Sequence, residues 1–283
     1  MITQIYSLWF AGIVIAATLG GIAPGHAADT TRIASINTCT DQLLLTLADP
    51  AQIVGLSPYS RDPARSWAAP EAAKYPRLSG EAEDVLVLKP DVVVAGTFTK
   101  RATREFLKGQ GVRVDEFDVA QTLDDVRAQI VRMGEIVGHP ERAAAQVERL
   151  DAAVERARVV ASRTRYQVLP LSRRGWVSGA NSLTTSLLTA AGLANAAGEL
   201  GVASGGFVSL EQIVSRKPDL LLVSDEGGFA EDQGRAFLLH PALEALYPPE
   251  KRLVIPEQLT VCGGPMVADA LDRLAREIER VSR

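Results

Sequence analysis

Residues 83–91 (EDVLVLKPD) and 211–219 (EQIVSRKPD) repeat one pattern, and an apolar run follows each of them, at 92–95 and 220–223. The pattern predicts a short helix that begins with an acid and ends at a proline, after which the aspartate turns the chain. The apolar run is typical of a strand that is buried on both faces of a parallel sheet. Because the pattern recurs in register, it predicts two similar α/β lobes.

Length and composition set the outer bounds on the kind of protein. The chain has 283 residues, of which 47% are apolar, and this is enough for two domains with separate cores. The formal net charge is -4 and the basic residues are scattered, so we expect no nucleic-acid partner. The two cysteines, Cys39 and Cys262, are too few for a disulfide-dense scaffold or a zinc ribbon.

The N-terminal segment 1–27 carries no charged side chain and is almost wholly apolar from 8 to 22. Small residues follow the apolar stretch, so we expect a signal peptide that is cleaved after Ala27. An uncleaved membrane anchor is the alternative, because no Lys or Arg precedes the stretch and it is nearly long enough to span a bilayer. We expect the rest of the chain outside the cytoplasmic membrane, where two cysteines can be oxidised.

The rest of the chain divides into an N-terminal α/β lobe at 28–138, a linking helix at 139–164 and a C-terminal α/β lobe at 165–283. The linking helix begins at Pro140, and apolar residues recur along it every three or four positions. At ~1.5 Å per residue, such a helix is roughly 35 Å long. It either joins both lobes or packs only on the sheet of the first lobe.

Sequence motifs of common enzymes do not occur in the chain. We find no glycine-rich phosphate-binding motif, and Ser178 stands one position late for a nucleophile elbow. His139 and His240 each precede a proline at a predicted helix start, so we interpret both as structural residues. These observations argue against a nucleotide-dependent enzyme, a serine hydrolase and a metal site built on several histidines.

The order of these features resembles the periplasmic solute-binding proteins of ABC importers, in the class with a helical backbone. The resemblance covers residues 32–281 and rests on the first strand with its polar turn, on VGLSPY at 54–59, on both Lys-Pro-Asp units and on WVSG at 176–179. It implies an α/β fold with two Rossmann-like lobes, parallel-rich sheets, one long α-helix that joins the lobes, and a ligand cleft between them.

Proteins of that class bind cobalamin, ferric siderophores or haem and deliver them to a membrane permease. The resemblance therefore implies a periplasmic carrier of a small-molecule metal chelate, whose partners are an ABC permease and its ATPase. We expect a monomer that is not an enzyme and has no cofactor of its own. The alternative function is an exported two-lobed enzyme related to the chelatases, in which Cys39, Asp41 and Cys262 handle the metal.

The resemblance places ligand-binding residues in loops at the carboxyl ends of the strands. The candidates are Cys39, Thr40, Asp41, Tyr59, Arg61, Arg77 and Phe98 in the first lobe, and Arg173, Trp176, Asp225, Glu226, Cys262 and Gly263 in the second. Tyr59 and Trp176 match positions at which cobalamin binders place aromatic rings, and the arginines suit an anionic chelate. The chain departs from the cobalamin binders where Arg77 and Gly96 replace tryptophan. Haem binders usually supply a histidine or tyrosine as axial ligand, and here no histidine falls in a predicted cleft loop.

Two acidic residues and two cysteines complete the set of candidates. Glu83 and Glu211 match the exposed acids with which each lobe of that class meets arginines of the permease, although acids also favour helix starts on their own.

On the same comparison Cys39 and Cys262 fall in cleft loops, one in each lobe. They form a disulfide across a closed cleft, bind a soft metal as thiolates, or line the pocket as small thiols. We favour pocket-lining thiols, because a disulfide requires Cα atoms within about 7 Å.

Overall fold

The structure is a computed structural model that describes Met1 and residues 30–161, 165–224 and 236–283. The predicted signal peptide, its anchor alternative and the candidate residues Asp225 and Glu226 lie outside these ranges. Within the described ranges, no helix is both long enough and apolar enough to cross a bilayer.

The N-terminal lobe contains a parallel four-stranded sheet with the strand order β2-β1-β3-β4. Its strands are β1 (Ile33–Ser35), β2 (Ile53–Gly55), β3 (Val92–Gly96) and β4 (Arg113–Phe117). Its helices are α1 (Thr38–Leu47), α2 (Ala69–Ala72), α3 (Ala82–Val87), α4 (Arg101–Gly109) and α5 (Leu123–Val137), and α6 (Pro140–Ala161) follows. Every residue of β3 is buried, as the apolar run predicts.

The C-terminal lobe repeats this topology. Its strands are β5 (Gln167–Pro170), β6 (Trp176–Val177), β7 (Ala194–Asn195), β8 (Gly206–Phe207), β9 (Leu220–Val223) and β10 (Arg252–Val254). Its helices are α7 (Leu183–Ala190), α8 (Leu210–Arg216), α9 (Pro241–Leu246) and α10 (Val267–Val281). The main sheet is parallel with the order β7-β5-β9-β10, so in both lobes the second strand lies beside the first and the third and fourth lie on its other side. The prediction of twin α/β lobes is confirmed.

The two Lys-Pro-Asp units have the same local structure. In each unit the lysine lies just past the helix with a positive φ, 47° in the first and 50° in the second. Asp91 then accepts a hydrogen bond from the backbone N–H of Arg32 at 2.7 Å, and Asp219 accepts one from Gln167 at 2.8 Å. Each aspartate therefore fixes the start of the first strand of its own lobe beside the third strand, which explains why the repeated unit predicts the fold.

The linking helix α6 packs against α5 of the N-terminal lobe and against α10 of the C-terminal lobe. Its buried face consists of small residues and one leucine: Ala143, Leu150, Ala153, Ala157 and Ala161. A Cβ atom on Gly134 of α5 would lie only 2.4 Å from the Cβ of Ala143, so this glycine allows the two helices to approach closely. An ion pair between Arg149 and Asp269 ties α6 to α10. Of the two alternatives for this helix, the structure shows contact with both lobes.

The structure differs from the sequence predictions in its short elements. The N-cap of α1 is Asn37, whose side chain accepts a hydrogen bond from the Cys39 N–H at 2.9 Å. The connection 58–80 contains the one-turn helix α2. Strands β6, β7 and β8 have two residues each, which is too short for a hydrophobic period to appear in a sequence.

Candidate ligand-binding site between the lobes

A cavity of about 320 Å³ lies between the two lobes. One wall comes from the loops after β1, β3 and β4, and the other comes from the start of α7 and the loop before α10. Open α/β sheets bind ligands at the carboxyl ends of their strands, which is where the N-terminal wall lies. The volume falls at the lower end of the usual range for ligand pockets, roughly 300–1,000 Å³.

A second cavity of about 240 Å³ belongs to the C-terminal lobe and adjoins the first. Thr184 and Thr260 line both cavities, so the two together form one cleft. Arg173 and Glu257, which carry opposite charges, also line the second cavity. We refer to the two cavities together as the inter-lobe cleft.

Cys39 and Cys262 form a disulfide in the wall of this cleft. Their Cα atoms are 5.2 Å apart, which lies within the usual range for a disulfide, and the bond joins the lobes across 223 residues of sequence. A Cβ atom on Gly263 would lie 2.2 Å from the Cβ of Ala120, so the glycine lets the loop before α10 approach the first lobe. The prediction that the two cysteines are pocket-lining thiols is therefore wrong, because the lobes meet closely enough at this point for a disulfide.

Asp41, another candidate ligand contact, has no exposed surface. Its carboxylate accepts hydrogen bonds from the N–H of Ser57 at 3.1 Å and from the Ser57 hydroxyl at 2.5 Å. Burial raises the pKa of Asp41 from 3.8 to about 7, although hydrogen bonds from Ser35 and Ser57 oppose the rise. Asp41 thus ties α1 to the end of β2, and the structure does not place it on the cleft wall.

The Asp41→Asn variant is expected to change how stability depends on pH. Because the pKa is raised in the folded state, the contribution of Asp41 to stability is fully present below pH 3.8 and is lost as the pH rises through about 7. We expect the variant to match the wild type near pH 4 and to be more stable by about 4 kcal/mol at pH 8, since it never places a charge at this site. Urea unfolding across this pH range measures the difference. A constant difference at all pH values contradicts the prediction.

The chelatase alternative required Cys39, Asp41 and Cys262 to act together on a metal. The structure instead commits both cysteines to a disulfide and buries Asp41 on the inner side of α1, against Ser57. A disulfide sulfur is not a thiolate and is a poor metal ligand. Among the residues that the structure describes, no group of three or more His, Cys, Asp or Glu could hold a metal ion.

The structure brings six of the candidate residues to the inter-lobe cleft. They are Cys39, Thr40, Phe98, Cys262 and Gly263 in the larger cavity and Arg173 in the smaller one. Thr40 is buried and its hydroxyl lies 2.8 Å from that of Ser35, so it supports the wall rather than offering a free polar group. Phe98 is 87% exposed and provides an apolar surface.

Four other candidates line neither cavity: Tyr59, Arg61, Arg77 and Trp176. The guanidinium of Arg65 lies 5.0 Å from the centre of the Tyr59 ring, and Arg61 donates a hydrogen bond to the Tyr75 carbonyl at 2.5 Å. Trp176 packs edge to face against Phe207 across the β6–β8 ribbon, with 5.1 Å between ring centres. Arg77 is exposed and pairs through its backbone with Leu56, because the connection 58–80 folds back beside β2.

Two parts of the cleft wall were not among the candidate residues predicted from the sequence. These are the loop after β4, with Asp118 and Gln121, and the start of α7, with Asn181 and Thr184. The loop after β4 could have been found from the sequence, because it follows the carboxyl end of a predicted strand as the other candidates do. The start of α7 could not, since the start of a helix comes to a cleft only through the packing of the two lobes.

Glu83 and Glu211 occupy equivalent exposed positions, each the second residue of its helix. The next residue of each helix, Asp84 or Gln212, accepts a hydrogen bond from a backbone N–H just before the helix. A hydrogen bond from Ser209 holds the pKa of Glu211 below its ordinary value, and the backbone N–H adds to this effect. Asp84 and Gln212 therefore cap their helices. Glu83 and Glu211 remain exposed at the same helical position, one on each lobe.

A larger cavity of about 650 Å³ lies at the outer edge of the C-terminal lobe, beside α9 and α10. Arg273 and Arg280 line it, and both are ion-paired with Glu277. Its walls come from one lobe, and Arg273, Glu277 and Arg280 already pair with one another. We therefore assign the ligand site to the inter-lobe cleft.

The family of periplasmic binding proteins matches residues 33–247, which is well over half of the chain. The chain belongs to this family, and the resemblance found in the sequence is confirmed. A cobalamin-binding protein from Halobacterium salinarum is 26% identical over 201 residues, which cover 68% of this chain and 53% of that protein. The chain thus spans about half the length of this relative.

Two solved structures illustrate the shared fold. The periplasmic heme-binding protein RhuT from Roseiflexus sp. RS-1, in its apo form, is 22% identical, with a TM-score of 0.72 over 90% of this chain and 100% of that one. A protein of an ABC-type Fe³⁺-hydroxamate transport system from Saccharomonospora viridis is also 22% identical, with a TM-score of 0.64 over 88% of this chain and 93% of that one. At such identities the structures establish the two-lobed fold.

Proposed function

We propose that this protein is the substrate-binding component of an ABC import system for a metal chelate: a ferric siderophore, a corrinoid or a haem-like ligand. The observation that carries the proposal is the inter-lobe cleft, whose walls come from both lobes of a periplasmic binding protein. Proteins of the same fold are named for cobalamin, heme and Fe³⁺-hydroxamate, which are all metal chelates.

In this function the lobes at 28–138 and 165–283 hold one ligand between them, and the helix at 139–164 limits their motion. The protein captures its ligand in the periplasm, after export through the N-terminal signal. The partner ATPase supplies the energy for transport, so the carrier itself needs no catalytic residue. Glu83 and Glu211, one on each lobe, bind arginines of the permease, and such charge pairs fix the orientation of docking.

Native mass spectrometry of the protein, purified from the periplasm without denaturation, tests the proposal. We expect a second species whose added mass has the isotope pattern of an iron or cobalt chelate. Added chelate should also raise the unfolding temperature, because a ligand at 100 times its Kd stabilises the folded state by about 2.7 kcal/mol. A protein that retains no chelate and gains no stability from any siderophore, corrinoid or haem contradicts the proposal.

A further inference from the structure

The polar groups of the inter-lobe cleft indicate which class of chelate it binds. We propose that the site takes an electrically neutral chelate whose periphery carries amide or hydroxamate groups. This inference rests on the proposed function and narrows it to one kind of ligand chemistry. Three features of the described lining residues support it: uncharged amides and hydroxyls, a small and negative balance of charge, and an apolar rim.

Most of the polar side chains that line the larger cavity are uncharged amides and hydroxyls. The amides are Asn37, Gln121, Gln129 and Asn181, and the hydroxyls are Thr40, Thr97, Ser182, Thr184 and Thr260. A primary amide offers two donors and one carbonyl acceptor. It can therefore both donate to and accept from an amide or hydroxamate of a ligand. A carboxylate of a ligand only accepts, so it leaves the carbonyl oxygen of the protein amide without a partner.

Several of these groups are available to a ligand. Within the described part of the chain, the side chains of Gln121, Asn181 and Thr184 make no hydrogen bond, and they lie at the cleft surface. Gln129 donates one hydrogen bond to the Asp118 carbonyl at 2.7 Å, which leaves its own carbonyl oxygen free to accept. Amides that would lose water on ligand binding need such partners, since an unpaired buried amide costs about 1–3 kcal/mol.

The charged side chains of the two cavities do not favour an anion. Among the described lining residues they are Asp118, Glu257 and Arg173, two negative charges and one positive. Arg61 and Arg77, which would suit an anionic chelate, line neither cavity. Like charges that face each other across a binding interface cost several kcal/mol, so carboxylates on the ligand oppose binding here.

The remaining wall is apolar or chemically inert. Phe98, Val119 and Val261 are exposed along the larger cavity and provide a surface for the hydrocarbon part of a chelate. The sulfur atoms of Cys39 and Cys262 are bonded to each other, so this wall offers the metal no thiolate.

Calorimetric titration with matched ligand pairs tests the inference on the exported, disulfide-bonded protein. One pair is cyanocobalamin and its monocarboxylic acid derivative, in which one peripheral amide is hydrolysed. The other pair is ferrichrome and the tricarboxylate ferrichrome A, and haem is added as a further anionic chelate. We expect the neutral member of one pair to bind at least ~10-fold more tightly than its carboxylate partner, and that pair identifies the source as corrinoid or hydroxamate.

The possible outcomes distinguish a failure of this inference from a failure of the proposed function. Tighter or equal binding of the carboxylate partners, or binding of haem alone, overturns the inference and leaves the proposed function intact. If none of the five compounds binds, the inference is wrong, and the native mass spectrometry and the wider chelate screen described above decide whether the proposed function also fails.

Variants of the cleft give an independent readout. Gln121→Ala and Asn181→Ala should each weaken binding of the preferred ligand about tenfold, because each removes a hydrogen bond to it. Gln110→Ala is the matched control, since Gln110 is an exposed glutamine beside α4 and outside the cleft. Thr184→Lys should reverse the preference within the ligand pair, which loss of structure alone does not do. Affinities of both alanine variants equal to that of the control overturn the inference.

Discussion

The Cys39→Ser/Cys262→Ser variant is expected to lose about 3–5 kcal/mol of stability and to unfold roughly 10 °C below the wild type. The disulfide joins residues 223 apart and so closes most of the folded chain into one loop. Cross-linking a loop of this length removes chain entropy from the unfolded state, worth roughly 5 kcal/mol at most. Thermal and urea unfolding of the purified variant measure the loss.

The reduced wild-type protein serves as the control for this variant. Reduction should lower the unfolding temperature of the wild type by the same amount and should leave the double-serine variant unchanged. The bond also holds the lobes together at the cleft wall, so reduction should broaden the distribution of distances between labels placed on the two lobes. Equal stability of the oxidised and reduced wild type would contradict the predicted stabilisation by the disulfide.

The second large effect is expected from the Glu83→Lys/Glu211→Lys variant. If each acid pairs with an arginine of the permease, reversing both charges should weaken docking by more than ~100-fold, at roughly 2 kcal/mol or more for each pair. Import, and stimulation of the partner ATPase in reconstituted vesicles, should therefore be lost. The affinity for the chelate should not change, because neither acid lines the inter-lobe cleft.

A charge-matched variant is available as the control for docking. Glu71→Lys/Glu250→Lys changes one exposed acid on each lobe and alters the net charge by the same amount. It should support import as the wild type does. If the two double variants support equal import, Glu83 and Glu211 do not bind the permease, and their place in the first helical turn reflects only the helix dipole.

The twin lobes could be predicted from the sequence because a local pattern determines them. Residues 83–91 and 211–219 each form a helix, a turn and a hydrogen bond from the aspartate to the adjacent strand. All of these interactions lie within one lobe. The cleft loops at the ends of β1 and β3 followed from the same reasoning, since strand ends in parallel sheets lie at one edge.

Features that depend on the packing of one lobe against the other could not be predicted. The disulfide requires a 5.2 Å approach between residues of different lobes, and no local pattern reports such a distance. Asp41 has the sequence context of an exposed acid in a first helical turn, yet Ser57 and the sheet cover it. Tyr59 and Trp176 were assigned to the cleft by resemblance, but each packs instead with a neighbour on its own lobe.

A crystal structure of the protein with the chelate that binds most tightly in titration tests the central claim most directly. We predict one chelate in the inter-lobe cleft, in contact with the Cys39–Cys262 disulfide, with Gln121 on one side and Asn181 on the other. A chelate bound instead on the β6–β8 ribbon, or in the cavity beside α9 and α10, would contradict it.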